Sequence, residues 1–184
     1  MQRKAVFLDL NGTLVLPLKQ ERLSDLTPIP GAVSAVARLS NAGFVCPVVT
    51  VQSRIAKGLF SMDEFLDWFR GFCDDWNARG AILVGPYVCP HRYAERCECE
   101  KPNAFLYDLA SRDHHIDQSR SFVVGDSPED VRAATNIGAR GCLVRTGWAA
   151  DPQVAAAAAS DTWYVGQDLG DIVDRILEGD VSRA

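Results

Sequence analysis

The sequence has no apolar run approaching the roughly 20 residues that a helix needs to cross a bilayer, which argues against a helical membrane anchor. It also has no surplus of positive charge: 19 Lys and Arg face 24 Asp and Glu, for a net charge of −5. A general affinity for nucleic acid or for an anionic membrane surface is therefore not expected, and any basic site must be local. No internal repeat is visible. An apolar run begins at Ala5, which leaves no room for a signal peptide, so a cytoplasmic location is expected. Histidine is scarce. Of the three, His114 and His115 lie in a polar turn and read as solvated surface. The six cysteines do not read as a disulfide framework: Cys46, Cys73 and Cys142 lie in apolar or amphipathic segments, as buried free thiols do.

What is present is an alternation of short apolar strands with amphipathic helices. The length suits one domain with a full core, expected to span residues 1–184. Strands are expected at 4–9, 44–50, 81–87, 121–125 and 141–144, with a weaker one at 162–165. These are β-branched runs without polar alternation, as in strands buried on both faces. Pro30-Gly31 opens a helix that runs to about Asn41, where Gly43 stops it. Ser61 and Glu64 form a capping box for a helix to about Ala78. Pro102 suits the first turn of a helix to about Ser111. Pro128 opens another to about Asn136, and residues 169–177 form the last. The run Ala155–Ala159 reads as a helix turn. Trp68, Phe69, Phe72 and Trp76 recur at helical spacing, the pattern of a core face. The βαβα order predicts an α/β fold with a doubly wound parallel sheet and helices on both faces. The ligand site should lie beyond the strand C-terminal ends.

Four segments meet at that edge. Asp9 ends the first strand, in Asp9-Leu10-Asn11-Gly12-Thr13. Thr50 ends the second. Lys101 precedes a helix, and Asp126 and Asp130 follow the fourth strand in Gly125-Asp126-Ser127-Pro128-Glu129-Asp130. Phosphoryl transfer uses these residue types together. A carboxylate can act as nucleophile, a cation and a hydroxyl can hold the phosphoryl oxygens, and carboxylates can hold a hard divalent ion. Each is weak alone. In order on successive strand ends they form a specific set.

With these motifs the chain resembles the haloacid dehalogenase superfamily of phosphatases. The resemblance implies that Asp9 is the nucleophile, that Thr50 and Lys101 bind the transferring group, and that Asp126 and the Asn11 carbonyl join Asp9 around Mg²⁺. Asp130 would support them from behind. A second cluster, Cys89-Pro90-His91 with Cys97-Glu98-Cys99, offers three thiolates and one imidazole, the ligand set of a closed structural Zn²⁺ site. Bound zinc would fix Lys101, two residues beyond Cys99. Together with Thr-x-Gln-Ser-x-Ile-Ala-x-Gly from Thr50 to Gly58, and with Arg145-Thr146-Gly147, this loop is similar to one subfamily: the capless heptose bisphosphate phosphatases and the related histidinol-phosphate phosphatase domains. The implied fold is Rossmann-like, of the haloacid dehalogenase type, without a cap domain and with a zinc loop at about 88–100. The implied substrate contacts include Gln52, Ser53 and Arg145, and the implied role lies in carbohydrate metabolism. Arg54 and Lys57 are further candidates for positive charge near the pocket.

Three positions depart from the subfamily. Asn11 stands where a second Asp would shuttle a proton to the leaving group, and an amide cannot do so. Val51 replaces an Asn, and Glu100 replaces an Arg suited to an anionic sugar phosphate. Asn11 has three open readings: an engineered change that traps a substrate, a natural variant acting on an ester with a good leaving group, or a degenerate enzyme. The expected function is a Mg²⁺-dependent phosphatase of a small phosphorylated metabolite, as a monomer or small homo-oligomer, weakened at position 11. The alternative is a non-catalytic phospholigand-binding or interaction protein on the same fold.

Overall fold

The computed structural model describes residues 2–181. Its elements run β1 (Val6–Leu8), β2 (Val15–Leu16), β3 (Thr27–Pro28), α1 (Ala32–Asn41), β4 (Pro47–Val51), α2 (Ser53–Ala56), α3 (Met62–Asn77) and β5 (Val84–Cys89). They continue with α4 (Phe105–His114), β6 (Phe122–Gly125), α5 (Pro128–Asn136), β7 (Arg140–Val144), α6 (Pro152–Ala158), β8 (Thr162–Gly166) and α7 (Leu169–Val181). Six strands form one sheet in the order β5-β4-β1-β6-β7-β8. Every pairing in it is parallel. The expected doubly wound architecture is thus present. A parallel sheet must be covered on both faces, and the continuous apolar strands meet that need.

Successive residues of β1 point to opposite faces and so serve two cores. Val6 and Leu8 pack with Val36 and Leu39 of α1, the aromatic face of α3, and Ile172 and Ile176 of α7. Phe7 packs with Leu106 and Tyr107 of α4 and with Ala133 and Ala134 of α5. Of the expected stripe, Phe69, Phe72 and Trp76 are buried together with Phe65, while Trp68 is only partly buried. Ser61 caps α3 reciprocally with Glu64.

Two local expectations are adjusted and one short ribbon is added. The helix after Pro102 begins at Phe105, because residues 100–103 form a turn closed by Asn103 N–H to the Glu100 carbonyl. The alanine run belongs to a full helix, α6, which Asp151 starts by accepting the Gln153 N–H. The segment after Gly12 forms a short antiparallel ribbon, β2 with β3. Among the described residues no helix is long and apolar enough to cross a membrane.

β1 lies at the middle of the sheet. The chain winds outward from it through β4 to β5, then returns to build β6, β7 and β8 on the other side. That reversal is the place where a doubly wound sheet opens a crevice above its strand ends.

Candidate active site

A cavity of about 760 Å³ lies above that crevice, and Asp9, Asn11, Thr50, Gln52, Lys101, Asp126 and Asp130 all line it. Asp9 leaves β1 with its N–H bonded to the Val124 carbonyl of β6. Lys101 enters from the loop after β5, and its Nζ lies 2.5 Å from Asp9 Oδ1 and 2.7 Å from Asp130 Oδ1. Asp130 is fixed by the turn that starts α5, where its Oδ2 accepts from the Ser127 N–H and hydroxyl. Asp126 accepts the Trp148 N–H at 2.7 Å, from the loop after β7.

These groups are almost dry: Lys101 is 7 %, Asp126 2 % and Asp130 1 % exposed. Burial pushes the Asp9 carboxyl up to about 6; Lys101 opposes the rise and Asp130 adds to it. Burial, followed by the charges of Asp9 and Asp130, pushes Asp126 up to about 8. Burial pulls Lys101 down, but Asp130 and Asp9 outweigh it and hold the ammonium well above the usual lysine range. Three carboxylates sharing one ammonium leave a net negative pocket that a hard cation would neutralise. One carboxylate oxygen from each of Asp9, Asp126 and Asp130 lies within 4.8 Å of the other two. This all-oxygen carboxylate cluster fits a hard divalent ion such as Mg²⁺.

The backbone is shaped around these carboxylates. A Cβ at Gly12 or Gly147 would strike the Asp126 carboxylate, and one at Gly125 would strike Asp130. Gly12 also has φ of 87°, which a side chain would strain. The Thr146 hydroxyl ties the Gly12 carbonyl across to the β7 loop.

The opposite wall is neutral. Asn11 Nδ2 donates to the Pro17 carbonyl at 3.0 Å and to Gln20 Oε1 at 3.2 Å. Gln20 Nε2 donates to Gln52 Oε1 at 3.0 Å. Gln52 Nε2 closes the ring onto Asn11 Oδ1 at 2.9 Å and also reaches Thr50 Oγ1 at 3.0 Å. Gln20 and Gln52 are 2 % and 1 % exposed. The ring has one sense only. The Pro17 carbonyl can only accept, so the Asn11 atom facing it must be the amide nitrogen.

The cysteine loop follows β5. Cys89 Sγ lies 3.4 Å from Cys97 Sγ, Cys97 Sγ 3.5 Å from Cys99 Sγ, and His91 Nδ1 3.2 Å from Cys99 Sγ. Zn–S bonds of about 2.3 Å in a tetrahedron place sulfurs roughly 3.8 Å apart. The four side chains thus fit a closed Zn²⁺ site. The Gln52 N–H to the Cys89 carbonyl and the Arg92 guanidinium to the Ala56 carbonyl join this loop to the segment after β4.

Of the residues expected to contact substrate, Gln52 lines the cavity, while Ser53 and Arg145 do not. Arg145 is exposed, with its N–H bonded to the Gly166 carbonyl of β8. Arg54 lines the cavity and Lys57 does not. Sequence reasoning missed Gln20 and Trp148, and it named Gly147 only as part of the Arg145-Thr146-Gly147 motif. The one signal for Trp148 was its place just after that motif.

Comparisons with known proteins follow this geometry. A family model for HAD-hydrolase-like proteins matches residues 98–172. The D-glycero-beta-D-manno-heptose-1,7-bisphosphate 7-phosphatase of Haemophilus ducreyi is 37% identical over 161 residues, covering 80% of this chain and 86% of that protein. The enzyme of the same name from Escherichia coli K12 is 35% identical over 170 residues, covering 84% and 85%. The crystal structure of D,D-heptose 1,7-bisphosphate phosphatase from B. bronchiseptica, complexed with magnesium and phosphate, superposes with a TM-score of 0.86. It is 26% identical and covers 96% of this chain and 99% of that one.

Proposed function

The chain belongs to the haloacid dehalogenase-like phosphatases, a family of phosphoric monoester hydrolases, and from that premise we propose that it hydrolyses a small phosphorylated metabolite through an aspartyl-phosphate on Asp9. The observation that carries this reading is the convergence of Asp9, Thr50, Lys101, Asp126 and Asp130 in one buried crevice at the strand ends.

In this mechanism Asp9 attacks phosphorus and the ester P–O bond breaks, its electron pair leaving with the ester oxygen. Lys101 and the Thr50 hydroxyl hold the phosphoryl oxygens as their charge redistributes. Asp130 keeps Lys101 protonated and aimed. Asp126, oriented by the Trp148 N–H, would hold Mg²⁺ with Asp9 and the Asn11 carbonyl. When bound, the ion would offset repulsion between the phosphate and Asp9. Water then attacks phosphorus and the aspartyl P–O bond breaks, its electron pair returning to Asp9; one hydrogen of the water stays on the released phosphate as its hydroxyl and the other leaves to solvent. Asn11 moves no proton in either step, so esters that need an acid react slowly; general acid–base help is typically worth about 10²–10⁴-fold.

Glu100 lines the cavity and sets a like charge against a second phosphate. We therefore favour a singly phosphorylated substrate. The test is Mg²⁺-dependent release of inorganic phosphate from a broad panel of phosphate monoesters, lost on Asp9→Ala. No release from any ester, with metal present, sinks the reading. Zn²⁺ held by Cys89, His91, Cys97 and Cys99 would brace the approach of Lys101. Elemental analysis should then find about one zinc per chain, lost in the Cys97→Ser/Cys99→Ser variant.

A further inference from the structure

Resting on that phosphatase reading, we propose that the substrate is a monophosphate ester of an acidic hydroxyl, an aryl or enol phosphate with a flat apolar body, which departs without a proton. Two independent features carry this.

The first is the amide ring. Both hydrogens of Asn11 Nδ2 are committed, one to Pro17 and one to Gln20, and its oxygen accepts from Gln52. The Asn11 side chain has no N–H left for a leaving oxygen, even as a neutral hydrogen-bond donor. Gln52 Nε2 spends its hydrogens on Asn11 and Thr50, Gln20 Nε2 gives one to Gln52, and none of the three amides can give up a proton. A leaving group on this side must carry its own negative charge away. A phenolic oxygen can, with a pKa of about 10; an alkoxide, near the ~16 of water, cannot. The P–O electron pair stays on the departing phenolate, and solvent protonates it after release.

The second is the cavity mouth. Leu18, Val51, Tyr93, Trp148 and Val154 line it. Tyr93 is 79 % and Trp148 44 % exposed, two large rings beside a charged pocket, with the Lys19 ammonium 4.9 Å from the centre of the Trp148 ring. Exposed rings at a site entrance suit stacking against a flat apolar group. The charged residues around them are three acids, Glu100, Glu129 and Asp151, against two cations, Arg54 in the cavity lining and Lys19 over the Trp148 ring. The Arg54 Nε is bonded to the Gln20 carbonyl. This mouth repels a second phosphate and accepts an uncharged ring.

The deciding pair is phenyl phosphate and benzyl phosphate, assayed with Mg²⁺ by phosphate release. They carry the same ring and differ in the acidity of the leaving hydroxyl. We expect kcat/KM for phenyl phosphate to exceed that for benzyl phosphate by about 10²–10⁴-fold, and fructose 1,6-bisphosphate to fall below both. Trp148→Ala should raise KM for phenyl phosphate several-fold with a smaller change in kcat. Equal rates for the two ring esters overturn the inference while leaving the phosphatase reading in place. No phosphate from any ester overturns both.

Discussion

Two walls of one cavity solve opposite problems. The floor, built from Asp9, Lys101, Asp126 and Asp130, concentrates charge where water is nearly absent: Lys101 opposes Asp9 and Asp130, while Asp126 has only the Trp148 N–H. The far wall, built from Asn11, Gln20 and Gln52, is equally buried at its two glutamines yet carries no charge, and its amides satisfy one another in a closed ring. On the proposed mechanism the floor handles the phosphoryl group, and the wall, whose amides carry no proton, faces the leaving group. Phosphate handling and leaving-group handling are then separable, each set by its own wall.

Substitutions on the two walls should accordingly fail in different ways. The largest effect is expected at the nucleophile: Asp9→Asn should lower kcat by about 10⁴-fold or more, with Lys101 still paired to Asp130, as read by single-turnover phosphate release. Lys101→Met should come next. It leaves two buried carboxylates unpaired and should cost about 3–5 kcal/mol of stability, measured by urea unfolding, and added Mg²⁺ should recover part of that loss. Asn11→Asp sets a carboxylate against the Pro17 carbonyl and Gln20 Oε1. If Gln20 turns to donate, it presents its oxygen to Gln52. A stability loss of about 1–3 kcal/mol is expected, together with a rise in benzyl relative to phenyl phosphate turnover as a proton carrier returns. The smallest effect is Gln20→Leu, which opens the ring at one link and should cost about 1 kcal/mol with the Asp9 chemistry retained. A Gln20 variant as damaging as Lys101→Met would erase the distinction between the walls.

The floor was legible in the sequence; of the far wall Asn11 and Gln52 were legible singly, but Gln20 and the ring that joins them were not, for a physical reason. Asp9, Thr50, Asp126 and Asp130 each adjoin a β-branched run, and parallel topology carries such strand ends to one edge. The zinc ligands fall within eleven residues, so their spacing alone suggests a common ion. Gln20 sits in an irregular segment with no periodic pattern, and its partner Gln52 is 32 residues away. Nothing local marks either as half of a pair. Trp148 was hidden in another way: it contributes its backbone N–H to Asp126, and a backbone donor leaves no residue-type signal. Arg145 shows the converse. Its type and place after β7 suggested a substrate contact, yet its side chain is exposed and lies outside the cavity lining.

The three glycines pressed against the carboxylates have a consequence for how this protein can change. At Gly12, Gly125 and Gly147 even a methyl group would collide with Asp126 or Asp130, so the phosphate pocket is a mould with no adjustable part. Selection for a new ester, in nature or in the laboratory, has little freedom there. Successful variants should accumulate at the rim, at Leu18, Val51, Tyr93 and Trp148, while the three glycines remain fixed through every round.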